Sequence, residues 1–440
     1  MKQNQLKREI TLFGAFSTVM GTVIGAGVFF KTASVVSYAQ SPSLTIFAWA
    51  LGGILTICAG LTSAELATAI PKTGGAVKYI EYIYGKLPGF LLGWAQSVVY
   101  FPANIAALSI IFATQFIHLF HLSTTILFPV ALLTGFSVTM INLLGTRQAA
   151  NLQSFTLVMK LVPIALIVFV GLFMPANVEI SLFPIKVGEN TGFVQALSGS
   201  LLATMFAYDG WLGVGAVAGE MKRPEKDLPK AIVFGLTFIM LVYVLINTVF
   251  LKTLPVDQIA GNLNAASDAS TLIFGAMGGK LVTIGILVSV YGALNGYTMT
   301  GIRVPYSLAL EEMIPFSKQF GKLSKSFAVP YIAGLFQFGV AAVMMYLGSF
   351  DLLTDMLVFV MWLFSVLLFI GVILLRKREP ALLRPYKVPL YPFIPIIAMA
   401  GGLFILITTL VVQPVLASVG IGITLLGIPV YLLTKKFHSN

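Results

Sequence analysis

Gly21-Thr22-Val23-Ile24-Gly25-Ala26-Gly27-Val28-Phe29 sits midway along an apolar run from about 11 to 37, with three glycines in seven residues. Each glycine weakens a helix interior by about 1 kcal/mol relative to alanine. Phe206-Ala207-Tyr208-Asp209-Gly210-Trp211-Leu212-Gly213-Val214-Gly215 repeats the pattern inside a second apolar run, from about 193 to 218. A bilayer tolerates unwound backbone only where it is buried in protein or lines a cavity. A glycine-interrupted helix at the matching place in each half of a chain points to an inverted-repeat transporter with its site at the membrane midplane. The expectation is an all-α membrane protein in which helices 1 and 6 are unwound there.

The rest of the chain agrees with a membrane setting. Of 440 residues 58% are apolar and 10% charged, against roughly 25% charged in soluble domains. Mean hydropathy is +0.95. Apolar stretches fall near 11–37, 44–69, 88–117, 125–144, 148–174, 193–218, 230–253, 270–301, 328–349, 352–375, 391–411 and 414–434. Twelve transmembrane helices are therefore expected, in one domain over 1–440 with no room for a soluble one. If the amino terminus is cytoplasmic, 22 of the 27 Lys and Arg residues fall in cytoplasmic segments, Lys31, Lys186, Lys252 and Lys280 at the outer ends, and Lys160 inside the fifth span. That asymmetry orients both termini to the cytoplasm. It also accounts for the net charge of +11 without nucleic acid. The basic Met1 to Ile10 segment has no cleavage-site pattern after it, so the first span is expected to be retained. Cys58, the single cysteine, excludes an intrachain disulfide.

The broken backbone suggests the ligand. Where the first helix resumes, the amides of Gly25, Ala26, Gly27 and Val28 lack helical partners at a positive dipole end and suit a carboxylate. Where the half-helices stop, the carbonyls of Val23, Ile24, Phe206 and Ala207 suit an ammonium. An α-amino acid carries both groups on one carbon. Gly14 and Gly52-Gly53 are instead expected to serve close helix packing. Lys160, deep in the fifth span, needs a partner, since a charge at the middle of a membrane helix costs at least about 2.5 kcal/mol. It is either a fixed ammonium standing where a coupling cation would bind or a titrating proton carrier. Asp209, next to Tyr208, is expected to cap the resumed helix. Glu65, near the inner end of span 2, is expected to pair with an inside Lys or Arg. His118 and His121 flank an outer loop without an acidic or cysteine cluster, so no metal site is expected. No phosphate-binding glycine loop, paired carboxylates or nucleophile elbow is found, and neither a cofactor nor an enzyme activity is expected.

Several segments together resemble a known family. They are Gly25-Ala26-Gly27-Val28-Phe29; Ala64-Glu65-Leu66 leading to Pro71-Lys72-Thr73-Gly74-Gly75; Phe206 to Trp211; Gly219-Glu220-Met221-Lys222-Arg223-Pro224-Glu225; Gly292 to Gly296; and Arg384-Pro385-Tyr386-Lys387-Val388-Pro389. In this order they resemble the L-amino acid transporter branch of the amino acid-polyamine-organocation superfamily, in particular bacterial serine/threonine and alanine-serine-cysteine exchangers. The resemblance implies a leucine-transporter-type fold of five plus five inverted repeats (about 11–174 and 193–375) followed by helices 11 and 12 (about 391–434). It also implies sodium-independent exchange of amino acids. It gives Lys160 the role of bridging the unwound part of helix 1 and helix 8, with Ser289 its candidate contact by position. Tyr243 supports the same region, and Phe206 gates the substrate.

The expected function is thus exchange of small neutral L-amino acids such as alanine, serine, threonine and cysteine by alternating access; the alternative is proton-coupled symport with Lys160 as proton carrier. Ala26 on one side and Phe206 and Trp211 on the other suggest a small pocket. The outer loop around His118 to Thr124 has no cysteine, which excludes a disulfide-linked heavy subunit. The expected setting is a monomer spanning the lipid bilayer of a bacterial plasma membrane.

Overall fold

The computed structural model describes residues 11–70, 74–188, 191–211 and 221–438. Met1 to Ile10, Lys72 and the rest of Pro71 to Thr73, and Gly213, Gly215 and the whole 212–220 stretch, all used in the sequence reading, lie outside the described residues.

Every described element is helical. The chain runs α1 (Leu12–Val23), α2 (Gly27–Ala39), α3 (Pro42–Ala69), α4 (Ala76–Tyr84), α5 (Lys86–Ala95), a π-turn (Gln96–Tyr100) and α6 (Phe101–Phe120). Next come α7 (Leu127–Leu143), α8 (Thr146–Phe173), α9 (Phe193–Ala207), α10 (Pro224–Thr253), α11 (Val256–Ile259) and α12 (Ala265–Gly301). The chain ends with α13 (Arg303–Leu310), α14 (Ser317–Phe320), α15 (Tyr331–Leu347), α16 (Phe350–Arg378), α17 (Phe393–Val412), α18 (Pro414–Leu425) and α19 (Gly427–His438). Among the described residues, nine helices are long and apolar enough to cross a membrane, and Leu12–Gly21, Phe193–Ala207 and Tyr331–Leu347 are shorter apolar helices. Two of those three are short because the chain leaves helical geometry at the glycine-rich breaks. This is a multi-pass membrane protein.

Small residues set the helix packing. A methyl group on Gly52 would lie 2.7 Å from Thr204 Oγ1, and one on Gly53 would lie 2.7 Å from Met240 Sδ. Those two glycines let α3 press against α9 and α10, as expected of them. Gly292 of α12 has the same function against Thr156 of α8. α12 itself bends at Gly275, whose φ of 74° only glycine adopts freely.

We call the side where α1 begins the near face and the side where α2 ends the far face. α3 returns to the near face, where Glu65 accepts from Arg376 Nε at 2.8 Å and lies 3.5 Å from Arg384 Nε. The Val388 N–H also donates to Glu65, at 2.8 Å, and the Arg376 guanidinium lies 3.8 Å above the Tyr391 ring. The expected pairing of Glu65 with a basic residue is therefore present, and it fastens α3 to the end of α16. Lys31 departs from the tally of outer charges. It is fully buried in α2 and ion-paired with two carboxylates of α16, because a cation inside the bundle must be matched to be tolerated.

Candidate functional site

α1 stops at Val23 because Ile24 turns extended (φ −68°, ψ 102°), and α2 restarts at Gly27 with no side-chain cap. Among the described residues, no backbone carbonyl accepts from the N–H of Gly25, Ala26, Gly27 or Val28. Four amides thus converge without helical partners, as the start of any uncapped helix leaves them. α9 ends at Ala207, and Gly210 follows at φ 103°.

The two breaks touch. A methyl group on Gly27 would lie 2.6 Å from Ala207 Cα, so this glycine is a packing point between α2 and α9. Gly25 differs, since its missing side chain would meet nothing nearer than the Val23 carbonyl at 3.9 Å. Of the two, only Gly25 therefore leaves open space beside these amides, its own N–H facing the Tyr243 hydroxyl. Tyr243 of α10 ties the breaks together: its hydroxyl lies 3.2 Å from the Val23 carbonyl and 3.0 Å from that of Ala207.

Lys160 of α8 donates from Nζ to the carbonyls of Gly21 at 2.7 Å and Ile24 at 2.6 Å. It thereby satisfies two carbonyls that the end of α1 leaves without helical donors. Ser289 is buried on α12 with its hydroxyl unpartnered among the described residues, and the structure does not bond it to Lys160. The four carbonyls expected to meet an ammonium already face protein donors: Val23 and Ala207 share the single proton of the Tyr243 hydroxyl, Ile24 accepts from Lys160, and Phe206 accepts from the Asp209 N–H at 3.3 Å. Each keeps a second lone pair.

Asp209 accepts from Tyr100 and, at 3.0 Å, from Tyr297. The helix it was expected to cap lies outside the described residues. Tyr208 donates to the Trp49 carbonyl at 2.8 Å, and Trp49 stands edge-on to Tyr208 and Tyr243. Phe206 meets Phe350 edge-on at 5.8 Å. Above both rings, at 5.9 and 5.3 Å, sits Lys31 Nζ, 2.9 Å from Asp351 Oδ1 and 2.8 Å from Asp355 Oδ1. On the far side of the break lie two aromatic rings beneath an ion triad in which Lys31 and Asp355 are buried and Asp351 is half-exposed.

Comparison with known proteins fits this geometry. The family model described as amino acid permease matches residues 10–433. The chain belongs to the amino acid permease family. This permease is 40% identical over 447 residues to the serine/threonine exchanger SteT of Bacillus subtilis (strain 168), covering 100% of this chain and 99% of that one. It is 29% identical to the human cystine/glutamate transporter over 433 residues, covering 98% and 85%. The human Asc-type amino acid transporter 1 is 29% identical over 450 residues, covering 99% and 84%. The relatives are transporters rather than enzymes, and the permease is an amino acid transporter of the same kind.

Lys31, Asp351, Asp355, Tyr100 and Tyr297 surround the site of this permease without being marked by the sequence motifs. In the sequence Lys31 stands among the charges at the outer ends, and Asp351 and Asp355 stand at the boundary of a span. Charges four residues apart at the start of an apolar helix, with an unmatched lysine elsewhere, were the available signal. Tyr100 and Tyr297 carried no local signal, because only the fold brings them to Asp209.

Proposed function

We propose that this permease is a sodium-independent exchanger of small neutral L-amino acids, alanine, serine, threonine and cysteine among them, working by alternating access across a plasma membrane. In this reading twelve helices form a leucine-transporter-type fold with repeats over about 11–174 and 193–375 and two further helices over about 391–434, both termini being cytoplasmic. The near face is then the inner one. The substrate carboxylate docks on the amides of Gly25 to Val28, and its ammonium shares the carbonyls of Val23, Ile24, Phe206 and Ala207. Phe206 covers it from outside, while Tyr208 and Asp209 hold the second break in place.

The observation that carries the reading is the Lys160 ammonium on the carbonyls of Gly21 and Ile24. A covalently attached cation neutralises the carbonyl dipoles of the broken helix, where a bound cation would otherwise be needed. Sodium then has no position to fill. A carrier whose cation cannot leave reorients poorly when empty, which favours one-for-one exchange. The identity with a serine/threonine exchanger supports small substrates.

One observation favours a second reading. Both acceptors of Lys160 are neutral carbonyls, so loss of its proton would break no ion pair, and proton-coupled symport could run through the same lysine.

The test is purified protein in sodium-free liposomes at equal pH, offered labelled serine with and without internal amino acid. Uptake that requires internal amino acid is expected. Uptake into empty liposomes driven by an inward proton gradient would replace exchange with symport.

A further inference from the structure

Away from both helix breaks, the far face holds a cavity of about 770 Å³ between the end of α6, the segment around α11 and the first turns of α12. Small-molecule sites measure roughly 300–1,000 Å³. The bend of α12 helps to make this space. Thr271 and Leu272 before Gly275 and Ala276 and Lys280 after it line the same cavity, and a methyl group on Gly275 would meet nothing within 4 Å. None of the lining residues belongs to either break.

The two fixed charges in the cavity are unequally served. Asp268 accepts from Asn262 Nδ2 at 2.9 Å and lies 3.4 Å from His118 Nε2. Lys280 is exposed and, among the described residues, has no carboxylate within ion-pair distance.

The depth of Lys280 decides which anion can reach it. α8 and α12 lie side by side in opposite directions, since a methyl group on Gly292 would lie 2.4 Å from Thr156 Cβ and one on Gly285 3.4 Å from Pro163 Cγ. Lys280, five residues nearer the far face than Gly285, is therefore level with Val168, roughly 7 Å short of the end of α8 at Phe173. Phe169 and Phe173 of α8 are exposed there, as are Met277, Leu281 and Ile284 of α12. Large apolar side chains on the outside of a spanning helix face lipid. Lys280 thus stands where acyl chains meet headgroups, and the anion at hand is a lipid phosphate.

We propose that this cavity binds the headgroup of an anionic phospholipid of the far leaflet, its phosphate on Lys280 and its acyl chains over Met277, Leu281 and Ile284. Charge-assisted hydrogen bonds to phosphate are the stronger kind. Gln258 and His121, which also line the space, supply donors for the remaining oxygens. A zwitterionic headgroup fits less well, because its own cation needs a free carboxylate and Asp268 is already engaged.

The test is native mass spectrometry of the full-length protein in detergent with phosphatidylglycerol, phosphatidylcholine or inorganic phosphate added. The wild type is expected to retain phosphatidylglycerol in preference to the other two. Lys280→Gln should lower that retention about fivefold, the worth of one lysine near a lipid surface, and Lys280→Arg should keep it. Ala276→Trp fills the cavity with its charges intact and should lower retention as well; both positions are exposed, so the fold should tolerate both changes. Equal retention of the two lipids by the wild type would overturn the proposal without any variant. Retention as in the wild type by Lys280→Gln or by Ala276→Trp would overturn it too. An equal loss in Lys322→Gln, on the near face, would show surface charge rather than this cavity at work, and inorganic phosphate displacing the lipid would replace the lipid site with one for a free anion.

Discussion

Gly25 and Gly27 are two residues apart and act differently, which makes them separable by the same substitution. Alanine at 27 would put its methyl group against the backbone of Ala207, at 2.6 Å from Cα and 2.9 Å from Cβ. Backbone cannot rotate away, and overpacking of this kind costs about 1–3 kcal/mol. Gly27→Ala is expected to lower the melting temperature in detergent and to abolish most exchange. Adding Ala207→Gly should recover little, because the clash with the main chain at 207 remains. Gly25→Ala meets open space instead, so its melting temperature should hold while the KM for serine rises severalfold. Equal thermal stability of the two variants would show that the breaks do not pack as described. The sequence supports one role for both glycines, amides that suit a carboxylate; only the position of Ala207, distant in sequence, separates them.

At the scale of elements, the two broken helices are held together by one hydroxyl. Tyr243 of α10 reaches the carbonyl that ends α1 and the carbonyl that ends α9. Tyr243→Phe keeps the ring, including its edge-on packing with Trp49 at 5.5 Å, and removes only the donor. The expected loss is about 1–3 kcal/mol of stability, the cost of leaving buried acceptors short of a partner. Serine affinity should weaken with it as the breaks lose their common tether. Circular dichroism should report unchanged helix content, and a calorimetric scan should report the earlier transition; an unchanged transition would remove Tyr243 from this role. Elements of this kind were largely legible beforehand. Hydropathy gave helix positions to within a few residues, as in α3 and α10, because a bilayer forces each spanning segment to be apolar and helical. Glycine spacing located both breaks for the same reason. The donors that satisfy the breaks were less legible. Lys160 stands out because a lone charge in an apolar span is costly, whereas the tyrosines at 100 and 297 look like ordinary membrane-helix residues until the fold brings them to Asp209.

At the scale of the whole molecule, α16 is the element that both faces share. Its 29 residues span about 43 Å at 1.5 Å per residue, enough to cross a bilayer. Asp351 and Asp355 at one end hold Lys31 and Ser34 of α2; Arg376 at the other holds Glu65 of α3. Under the proposed alternating access one end opens while the other stays shut, and the two ionic clusters, both formed in this structure, would then oppose each other in one equilibrium. Glu65→Gln leaves Arg376 and Arg384 without their carboxylate, and Lys31→Met leaves Asp355 buried without its cation. Stranding a buried charge costs about 3–5 kcal/mol, whereas about 1.4 kcal/mol already shifts a two-state population tenfold. Hydrogen exchange is the suitable probe. In Glu65→Gln, exchange should accelerate across 60–70 and 372–388 and slow across 28–39 and 350–357, because molecules leaving the near-closed state populate the far-closed one. Lys31→Met should give the mirror pattern. If each variant loosened only its own end and left the other unchanged, the clusters would be independent struts and α16 would not couple the faces. A gain at one end matched by a loss at the other would make this helix the balance point of the transport cycle.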